Sequence, residues 1–519
     1  MKSKSSQLIL PLAALSLASC AEKKEEPKRP NIIFMMTDDH TTQAMSCYGG
    51  NLIQTPNMDR IANEGLRFDN CYAVNALSGP SRACILTGKF SHENGFTDNA
   101  STFNGDQQTF PKLLQQAGYQ TAMIGKWHLI TEPQGFDFWS ILSGQHEQGD
   151  YYDPDFLEMG KPAVEKGYAT DIITDKAINF LEHRDKSKPF CMMLNFKAPH
   201  RSWEPDSCYM NLYDDVEFPY PETFNDDYST RELTMDKSMA KISKHLSRGD
   251  LKMQAPEGLT QEEKDKWLWY GGSGENQFWT PDPNMSETEL KKWKFQRYIK
   301  DYCRCVKSVD DQVGNVIAYL KKNNLFDNTI IIYMGDQGFY LGENGLYDKR
   351  WMYETSLQMP CLISYPAKIK AGTKIDDITL NIDMAPTLLD FAGLSIPEDM
   401  QGESFKGLLL DHDNAAKDWR KSMYYQYFEY PKWHRVQPHY GIRTERYKLI
   451  HFYYDIDVWE FYDLQKDPKE LVNCYNNPEY KDIISELHTR LDEMVKKYDG
   501  LSLKERRSLT EKRMKKYEP

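Results

Sequence analysis

This sequence has few cysteines, no excess of positive charge and no long apolar segment beyond its first residues. Ten cysteines in 519 residues are too sparse for a disulfide-stapled scaffold, so a hydrophobic core must hold the fold. The net charge of −13 argues against a broad basic surface, and we therefore expect no nucleic-acid partner. An anionic ligand would instead need a local cationic pocket. Apart from the N-terminal segment, no run of apolar residues approaches the length of a membrane helix.

The first residues of the chain have the pattern of an export signal. Lys2 and Lys4 precede an apolar stretch, residues 8–17, which is too short to span a bilayer. Leu17-Ala18-Ser19-Cys20 then resembles a bacterial lipobox, in which the cysteine is lipidated and becomes the mature N-terminus. An ordinary secretory signal with an incidental cysteine is the alternative. We expect a lipoprotein signal peptide over residues 1–19.

A charged, proline-bounded stretch follows the lipobox. Residues 20–30 are expected to form a flexible tether, because they offer little apolar surface to bury. An acidic run directly after a lipidated cysteine resembles the surface-export signal of Bacteroidetes lipoproteins. The N-terminus thus predicts a bacterial lipoprotein, exported to the periplasm or the outer-membrane surface, that reaches the membrane only through its lipid anchor.

Three uninterrupted apolar runs predict the core of the fold: residues 31–36, 190–196 and 329–335. Such runs are typical of strands buried on both faces of a parallel sheet. Helical patterns at residues 110–118 and 301–323 lie between them. Strands that alternate with helices predict an α/β fold, with three α/β/α layers around a large mixed sheet.

The composition and hydrophobic pattern of the sequence change twice after the second apolar run. Residues 203–295 are rich in Tyr, Trp, Asp, Glu and Pro, and we interpret them as a long insertion at the rim of the ligand site. From about residue 420, short alternating aromatic runs predict a short antiparallel sheet, and a last helix is expected over about 483–497. The predicted boundaries are 31–415 for an N-terminal catalytic domain and 416–519 for a smaller C-terminal subdomain.

Polar residues follow the predicted strands at their carboxyl ends, where ligands gather in sheets of this kind. Asp38 and Asp39 follow the first strand, His200 lies shortly after the second, and Asp336-Gln337 follows the third. Two consecutive carboxylates repel each other unless a cation or hydrogen bonds compensate. A strand-end cap would account for Asp38-Asp39 alone, but the second acidic group at the same edge favours a bound cation.

The segment Ser78-Gly79-Pro80-Ser81-Arg82, with Thr87-Gly88 at its end, resembles the signature C/S-x-P-S/A-R-x₄-T-G of type I sulfatases. That family belongs to the alkaline phosphatase superfamily. A Ser/Gly/Pro turn that opens a helix accounts for the turn chemistry, but not for Arg82 together with Thr87-Gly88. In the family, the first residue of the signature is oxidised to formylglycine, whose hydrated aldehyde attacks sulfur and later expels sulfate. The resemblance therefore implies formylglycine at Ser78 and, as a partner, an anaerobic formylglycine-generating maturase.

Further segments resemble segments of the same family, and the resemblance implies roles for individual residues. Gly125-Lys126-Trp127-His128-Leu129 matches a G-K-W-H-L element, in which the lysine contacts the sulfate and the histidine orients the formylglycine hydroxyl. His200, after Lys197-Ala198-Pro199, resembles the histidine that protonates the leaving-group oxygen. Lys349 matches the second sulfate-binding lysine, and Arg82 would hold the modified residue. A histidine suits proton transfer because its pKa lies near neutrality.

The same resemblance assigns the acidic residues to one Ca²⁺ ion. Three carboxylates, one amide oxygen and the oxygen of residue 78 form an all-oxygen set, which favours Ca²⁺ or Mg²⁺ over zinc. The family commonly has asparagine where this chain has glutamine at position 337. The implied ligands are Asp38, Asp39, Ser78, Asp336 and Gln337.

Residues 335–345 resemble a branch that contains bacterial N-acetylglucosamine-6-sulfatases acting on host glycans. The resemblance implies hydrolysis of a sulfate ester on a carbohydrate, namely the 6-O-sulfate of N-acetylglucosamine in host glycans or glycosaminoglycan fragments. His439, Arg443 and the aromatic run 424–427 are candidates for sugar contacts; for the aromatics, packing within a small sheet is the alternative. Three other functions stay open: a sulfatase for another sugar position, a phosphonate or phosphate ester hydrolase of the superfamily, and an inactive, lipid-anchored glycan-binding protein.

Overall fold

In the computed structural model of the chain, the described residues are 29–144, 148–247, 249–252 and 281–517. The expected signal peptide, Cys20 and nearly all of the expected tether lie outside these residues, as does part of the expected insertion. Within the described ranges, no helix is both long enough and apolar enough to cross a membrane.

The described residues form eighteen strands, which include all three apolar runs and the aromatic runs of the sequence. Numbered β1–β18 in chain order, they are Asn31–Thr37, Leu66–Phe68, Cys71–Tyr72, Gln120–Gly125, Phe138–Leu142, Asp155–Glu158, Lys161–Val164, Phe190–Asn195, Thr329–Gly335, Tyr340–Leu341, Tyr347–Asp348, Cys361–Ser364, Thr373–Ile375, Thr379–Leu380, Ser422–Tyr427, His439–Thr444, Tyr447–Phe452 and Val458–Asp463.

The same part of the chain contains fourteen α-helices, several of them a single turn long. Numbered α1–α14 in chain order, they are Pro56–Asn63, Ser78–Thr87, Ser91–Asn94, Phe110–Gln116, Ala169–His183, Glu232–Asp236, Ile242–His245, Glu287–Lys322, Glu354–Leu357, Met384–Phe391, Lys406–Leu410, His412–Ala415, Lys481–Lys497 and Leu503–Tyr517.

Ten strands form one large sheet in the order β13-β2-β12-β9-β1-β8-β4-β5-β6-β7. The central strands β9, β1, β8, β4 and β5 are parallel, whereas antiparallel pairs flank them on both sides. Met36 of β1 lies opposite Asn195 of β8 and Met334 of β9, and Gly125 of β4 also lies opposite Asn195. The sheet is therefore mixed, as predicted, and the ends of β1, β4, β8 and β9 lie at one level.

The alternation of side chains along β1 explains the three layers. Ile33 and Met35 point into a core shared with α1, α5 and α8, while Ile32 and Phe34 point into a second core shared with α2, α4 and α10. All four side chains are fully buried. Burial of each one contributes about 1.5–3 kcal/mol to folding, which explains why residues 32–36 carry no polar side chain. The predicted α/β/α arrangement is confirmed.

A second, smaller sheet of four antiparallel strands, β15-β16-β17-β18, follows in the C-terminal part of the chain. Leu487 and Leu491 of α13 pack against it, so the predicted sheet and helix are both present. Beyond them, the basic tail forms α14 and is not extended. This helix buries Arg506, whose guanidinium lies 4.2 Å from the ring centroid of Tyr440.

The long helix α8 begins at Glu287, earlier than the predicted start at residue 301. Its N-cap is Ser286, and Ser286 and Glu289 form a capping box. The pattern S-x-x-E is a recognised start signal, because each side chain satisfies a backbone N–H that the helix leaves free. The expected insertion over residues 203–295 therefore ends inside a helix of the main domain.

Candidate active site

The carboxyl ends of β1 and β9 bring the predicted acidic residues together. The backbone N–H of Asp39 donates to Oδ1 of Asp336 at 3.2 Å, and the N–H of Asp336 donates to the carbonyl of Thr37 at 3.1 Å. The side-chain amide of Gln337 donates to Oδ1 of Asp39 at 2.6 Å. Together with Asp38, these residues are buried. The parallel register of the two strands thus creates one acidic pocket.

Ser78 and Arg82 reach this pocket from the first turn of α2. Oγ of Ser78 donates to Oδ1 of Asp38 at 3.0 Å. Arg82 lies four residues later and hence on the same face of the helix. Its Nη2 is 3.2 Å from Oδ2 of Asp38 and 3.0 Å from Oδ2 of Asp336. The spacing in the sequence motif therefore places a hydroxyl and a guanidinium on the same carboxylates.

Two glycines next to the site meet a steric requirement. A Cβ on Gly79 would lie 2.6 Å from Cε1 of Phe96 and 2.8 Å from Oδ1 of Asn99. Gly125, at the end of β4, has φ of +98°, and a Cβ there would lie 2.0 Å from the carbonyl oxygen of Asn195. Position 125 therefore needs glycine, whereas a side chain at position 79 would require Phe96 and Asn99 to move.

One lysine lies beside each of the consecutive aspartates. Lys126 forms an ion pair with Asp38, and Nζ of Lys349 lies 2.5 Å from Oδ1 of Asp39. Burial lowers the pKa of Lys126 to about 8 despite the attraction of Asp38. For Lys349, burial also lowers the pKa, but Asp39 and other carboxylates outweigh it, so the net shift is upward. Lys126 and Lys349 therefore place two ammonium groups beside the acidic residues, where they can contact an anionic ligand.

The protein's own cations compensate the acidic residues only in part. Burial works to raise the pKa of Asp38, but nearby cations, Lys126 first among them, hold it well below its usual range. By contrast, burial and the neighbouring carboxylates raise the pKa of Asp39 to about 7, and they also raise that of Asp336. Within the described chain, Oε1 of Gln337 is buried without a hydrogen-bond partner. A bound cation would favour the ionised forms of Asp39 and Asp336 and would give Oε1 of Gln337 a partner. This set of oxygen donors therefore fits a hard metal ion.

Both predicted histidines lie at this edge of the sheet. Nε2 of His200 lies 3.8 Å from Oδ2 of Asp39, and its Nδ1 lies 2.8 Å from the carbonyl of Arg201. His128 contacts the amide of Gln148 at 2.7 Å. Burial and the charge of Lys126 hold the pKa of both imidazoles well below the usual range. The ligating atoms of Asp38, Asp39 and His200 lie within 4.8 Å of one another, so the histidine belongs to the same cluster.

A polar cluster beside Lys349 was not predicted from the sequence. Oδ1 of Asp348 accepts from the N–H of Lys349 at 2.9 Å and from Nε of Arg350 at 3.0 Å. Its Oδ2 lies 3.0 Å from Nε2 of His434 and 3.7 Å from Nη2 of Arg201. These groups come from three distant segments, so no local pattern marks them. Gln148, which contacts Lys126 and His128, also lacked a sequence signal.

The structure does not bring the other two predicted sugar-binding residues to the acidic pocket. His439 is buried in β16, where its ring stacks on Tyr425 at 5.6 Å and its Nδ1 lies 2.8 Å from the carbonyl of Gln437. Arg443 forms an ion pair with Glu354 at 3.0 Å. Sugar binding by His439 and Arg443 stays a prediction.

Comparison with known proteins identifies the family of this chain. The sulfatase family model matches residues 30–394, which is more than half of the chain. The chain belongs to the sulfatase family. A second model, described as the C-terminal part of N-sulphoglucosamine sulphohydrolase, matches residues 342–497 of this sulfatase. The protein is therefore a sulfuric ester hydrolase of α/β fold.

Relatives of this sulfatase span nearly its whole length. An N-acetylglucosamine-6-O-sulfatase of Bacteroides thetaiotaomicron is 59% identical over 96% of this chain and 92% of that protein. The human N-acetylglucosamine-6-sulfatase is 27% identical over 77% of this chain and 67% of that protein. A solved structure of a protein in complex with its substrate D-glucosamine-2-N,6-O-disulfate is 58% identical, covers 91% of this chain and 98% of that one, and superimposes with a TM-score of 0.86.

Proposed function

We propose that this sulfatase removes the 6-O-sulfate of N-acetylglucosamine from host glycans or glycosaminoglycan fragments. The observation that carries the proposal is the 59% identity, over 96% of the chain, with an N-acetylglucosamine-6-O-sulfatase. The relative solved with a 6-O-sulfated glucosamine supports the same substrate class. The buried side chains of Lys126 and Lys349 supply two ammonium groups that can contact a sulfate ester.

Two groups would complete the site. One Ca²⁺ fits the oxygens of Asp38, Asp39, Asp336, Gln337 and residue 78, because the set is hard, acidic and only partly compensated. Such an ion supplies Lewis-acid polarisation of a sulfuryl oxygen. Formylglycine at Ser78 would supply a hydrated aldehyde as nucleophile.

The chain's own side chains would hold the substrate and move its proton. Lys126 and Lys349 would neutralise the sulfuryl oxygens, an electrostatic contribution that needs no rearrangement because both ammonium groups are already fixed. Arg82 holds Asp38 and Asp336 in place beneath residue 78. His200 would deliver a proton from Nε2 to the leaving oxygen, since its Nδ1 is occupied by the carbonyl of Arg201.

The polar cluster beside Lys349 is suited to the sugar ring. Asp348 can accept from sugar hydroxyls, and Arg350 and Arg201 can donate to them. Asp348 remains ionised, because His434 and Arg350 outweigh burial and hold its pKa well below the usual range. We therefore place the sugar beside Asp348 and the sulfate between the two lysines.

Substrate position is tested by assaying matured enzyme against sulfated mono- and disaccharides that differ only in the position of the sulfate. We expect sulfate release to be fastest from N-acetylglucosamine 6-O-sulfate. Faster release from another position would replace the proposed substrate. Phosphate monoesters and diesters in the same assay test the alternative hydrolase activity. Unmodified Ser78 in protein from the native host, seen by mass spectrometry, would instead favour the inactive glycan-binding alternative.

Removal of Ca²⁺ should abolish activity and lower the melting temperature. The clustered carboxylates repel one another without a cation, and an ion that binds only the folded state stabilises it by mass action. Asp336→Asn should weaken this response to Ca²⁺. Calorimetry with and without chelator, together with elemental analysis, checks the prediction. Zinc in the purified protein, or a melting temperature indifferent to Ca²⁺, would contradict the proposed ion.

We also propose that Cys20 carries a lipid, which would tether the enzyme to the periplasmic or outer surface of a bacterial membrane. The support is the lipobox pattern alone. Cys20→Ser should move the protein from the membrane fraction to the soluble fraction of cells. A soluble wild type would contradict the anchor.

A further inference from the structure

The small C-terminal sheet contacts both halves of the active site. Ser78 lies in one half, at the start of α2, and Lys349 lies in the other, after β11. These two residues are distant in sequence, yet both must meet the same sulfate group. Strand β15 and the loop that follows it carry Tyr425 and Glu429, which contact both segments.

Tyr425 forms the first bridge. Its side chain is fully buried, and its hydroxyl donates to the carbonyl of Arg350 at 2.7 Å. The same oxygen accepts from the backbone N–H of Ala76 at 3.2 Å. Arg350 follows Lys349 directly, and Ala76 precedes Ser78 by two residues. One phenol oxygen therefore joins the backbones of the two segments.

Glu429 forms the second bridge and is 2% exposed. Its Oε1 accepts from Nη1 of Arg350 at 2.7 Å, and its Oε2 accepts from the N–H of Asn99 at 3.0 Å. Asn99 in turn accepts from the N–H of Gly79 at 3.0 Å through Oδ1. A buried carboxylate left without such partners would be costly, so these contacts are strongly held.

We propose that Tyr425 and Glu429 are positioning residues, which fix Ser78 relative to Lys349. The proposal rests on the sulfatase reaction and not on the identity of the sugar. Its physical basis is that misplacing reacting groups by about 1 Å costs about 10²-fold in rate. The stacking of His439 on Tyr425 then has a role, because it helps to hold the bridging phenol in place.

The test compares Tyr425→Phe, Glu429→Gln and the double variant with two matched controls. Tyr462→Phe removes a buried hydroxyl from β18 of the same small sheet, which donates to Glu460 at 2.8 Å. Glu460→Gln alters a buried carboxylate of the same small sheet, which bonds to Thr234 and Tyr353. Turnover of nitrophenyl sulfate and of N-acetylglucosamine 6-O-sulfate is measured per formylglycine, with formylglycine quantified by mass spectrometry.

We expect each single variant to lose about tenfold in kcat/KM and the double variant about 10²-fold, while both controls stay within about twofold of the wild type. Inorganic sulfate should also bind more weakly to the double variant in its unmodified serine form, measured by calorimetry. This second measurement needs neither formylglycine nor a sugar, so it separates failure of this proposal from failure of the proposed function.

Retention of control-like turnover and sulfate affinity by the double variant would overturn the positioning role. A loss confined to formylglycine content, with normal turnover per modified enzyme, would overturn it as well. Melting temperatures show whether each variant is folded. If the double variant does not fold, Tyr425→Phe decides the question, because it removes a single oxygen atom and leaves the packing intact.

Discussion

Ser78→Ala should abolish sulfate release while leaving the protein folded. The substitution deletes the oxygen that lies 3.0 Å from Asp38 and that the maturase would convert into the nucleophile. Only one hydrogen bond is lost, and Asp38 keeps its ion pairs with Arg82 and Lys126, so the stability cost should be about 1 kcal/mol. Sulfate release, formylglycine content and the melting temperature are measured on the same preparation.

Ser81→Ala is the matched control for this experiment. Ser81 lies in the same turn of α2, but its hydroxyl contacts the carbonyl of Asp336 and the amide of Asn381, so it supports the helix and does not reach the substrate. We expect this variant to retain measurable turnover. Appreciable activity in purified Ser78→Ala would remove residue 78 from the catalytic role. Wild-type protein made without a maturase should be as inactive as Ser78→Ala.

The parts of the site that could be predicted are those that depend on strand ends or on spacing along one helix. Asp38 and Asp336 follow apolar runs, and parallel strands deliver their carboxyl ends to one edge of a sheet. Ser78 and Arg82 lie on one helix, where a separation of four residues fixes their shared face. Strand ends and helical spacing explain how these residues come together, whereas the roles of Ser78 and Arg82 followed from the family resemblance. The structure confirms the predicted α/β/α fold.

The remaining parts depend on contacts between distant segments. The pair of Asp39 and Lys349 spans 310 residues, and the family resemblance gave the two residues separate roles without predicting their contact. Gln148 reaches Lys126 and His128, and His434 reaches Asp348, only through folding. Gln148, Asp348 and His434 carry no periodicity, cap or turn pattern of their own. The alternation in β15 predicted a strand, but the docking of that strand against Ala76 and Arg350 follows from tertiary packing.

His200→Ala should slow hydrolysis of a sugar 6-O-sulfate by about 10²–10⁴-fold, the range of positioned acid catalysis. The carbonyl of Arg201 accepts a hydrogen bond from Nδ1 at 2.8 Å, so Nε2 is the nitrogen that can gain and release a proton. A sugar alkoxide is a poor leaving group and needs that proton. A nitrophenolate is stable without it, so nitrophenyl sulfate should lose far less rate in this variant.

The pH profile separates acid catalysis from binding. Burial and Lys126 hold the pKa of His200 below its usual range, and the acid role needs the protonated form, which is lost as the pH rises. Wild-type turnover of the sugar sulfate should therefore begin to fall at a pH below the usual range of histidine, whereas His200→Ala should keep only the later fall due to Lys126, whose pKa is about 8. His200→Asn keeps a hydrogen-bonding side chain but cannot supply the proton, so it should not restore the rate. Equal losses on both substrates, or recovery in His200→Asn, would make His200 a binding residue.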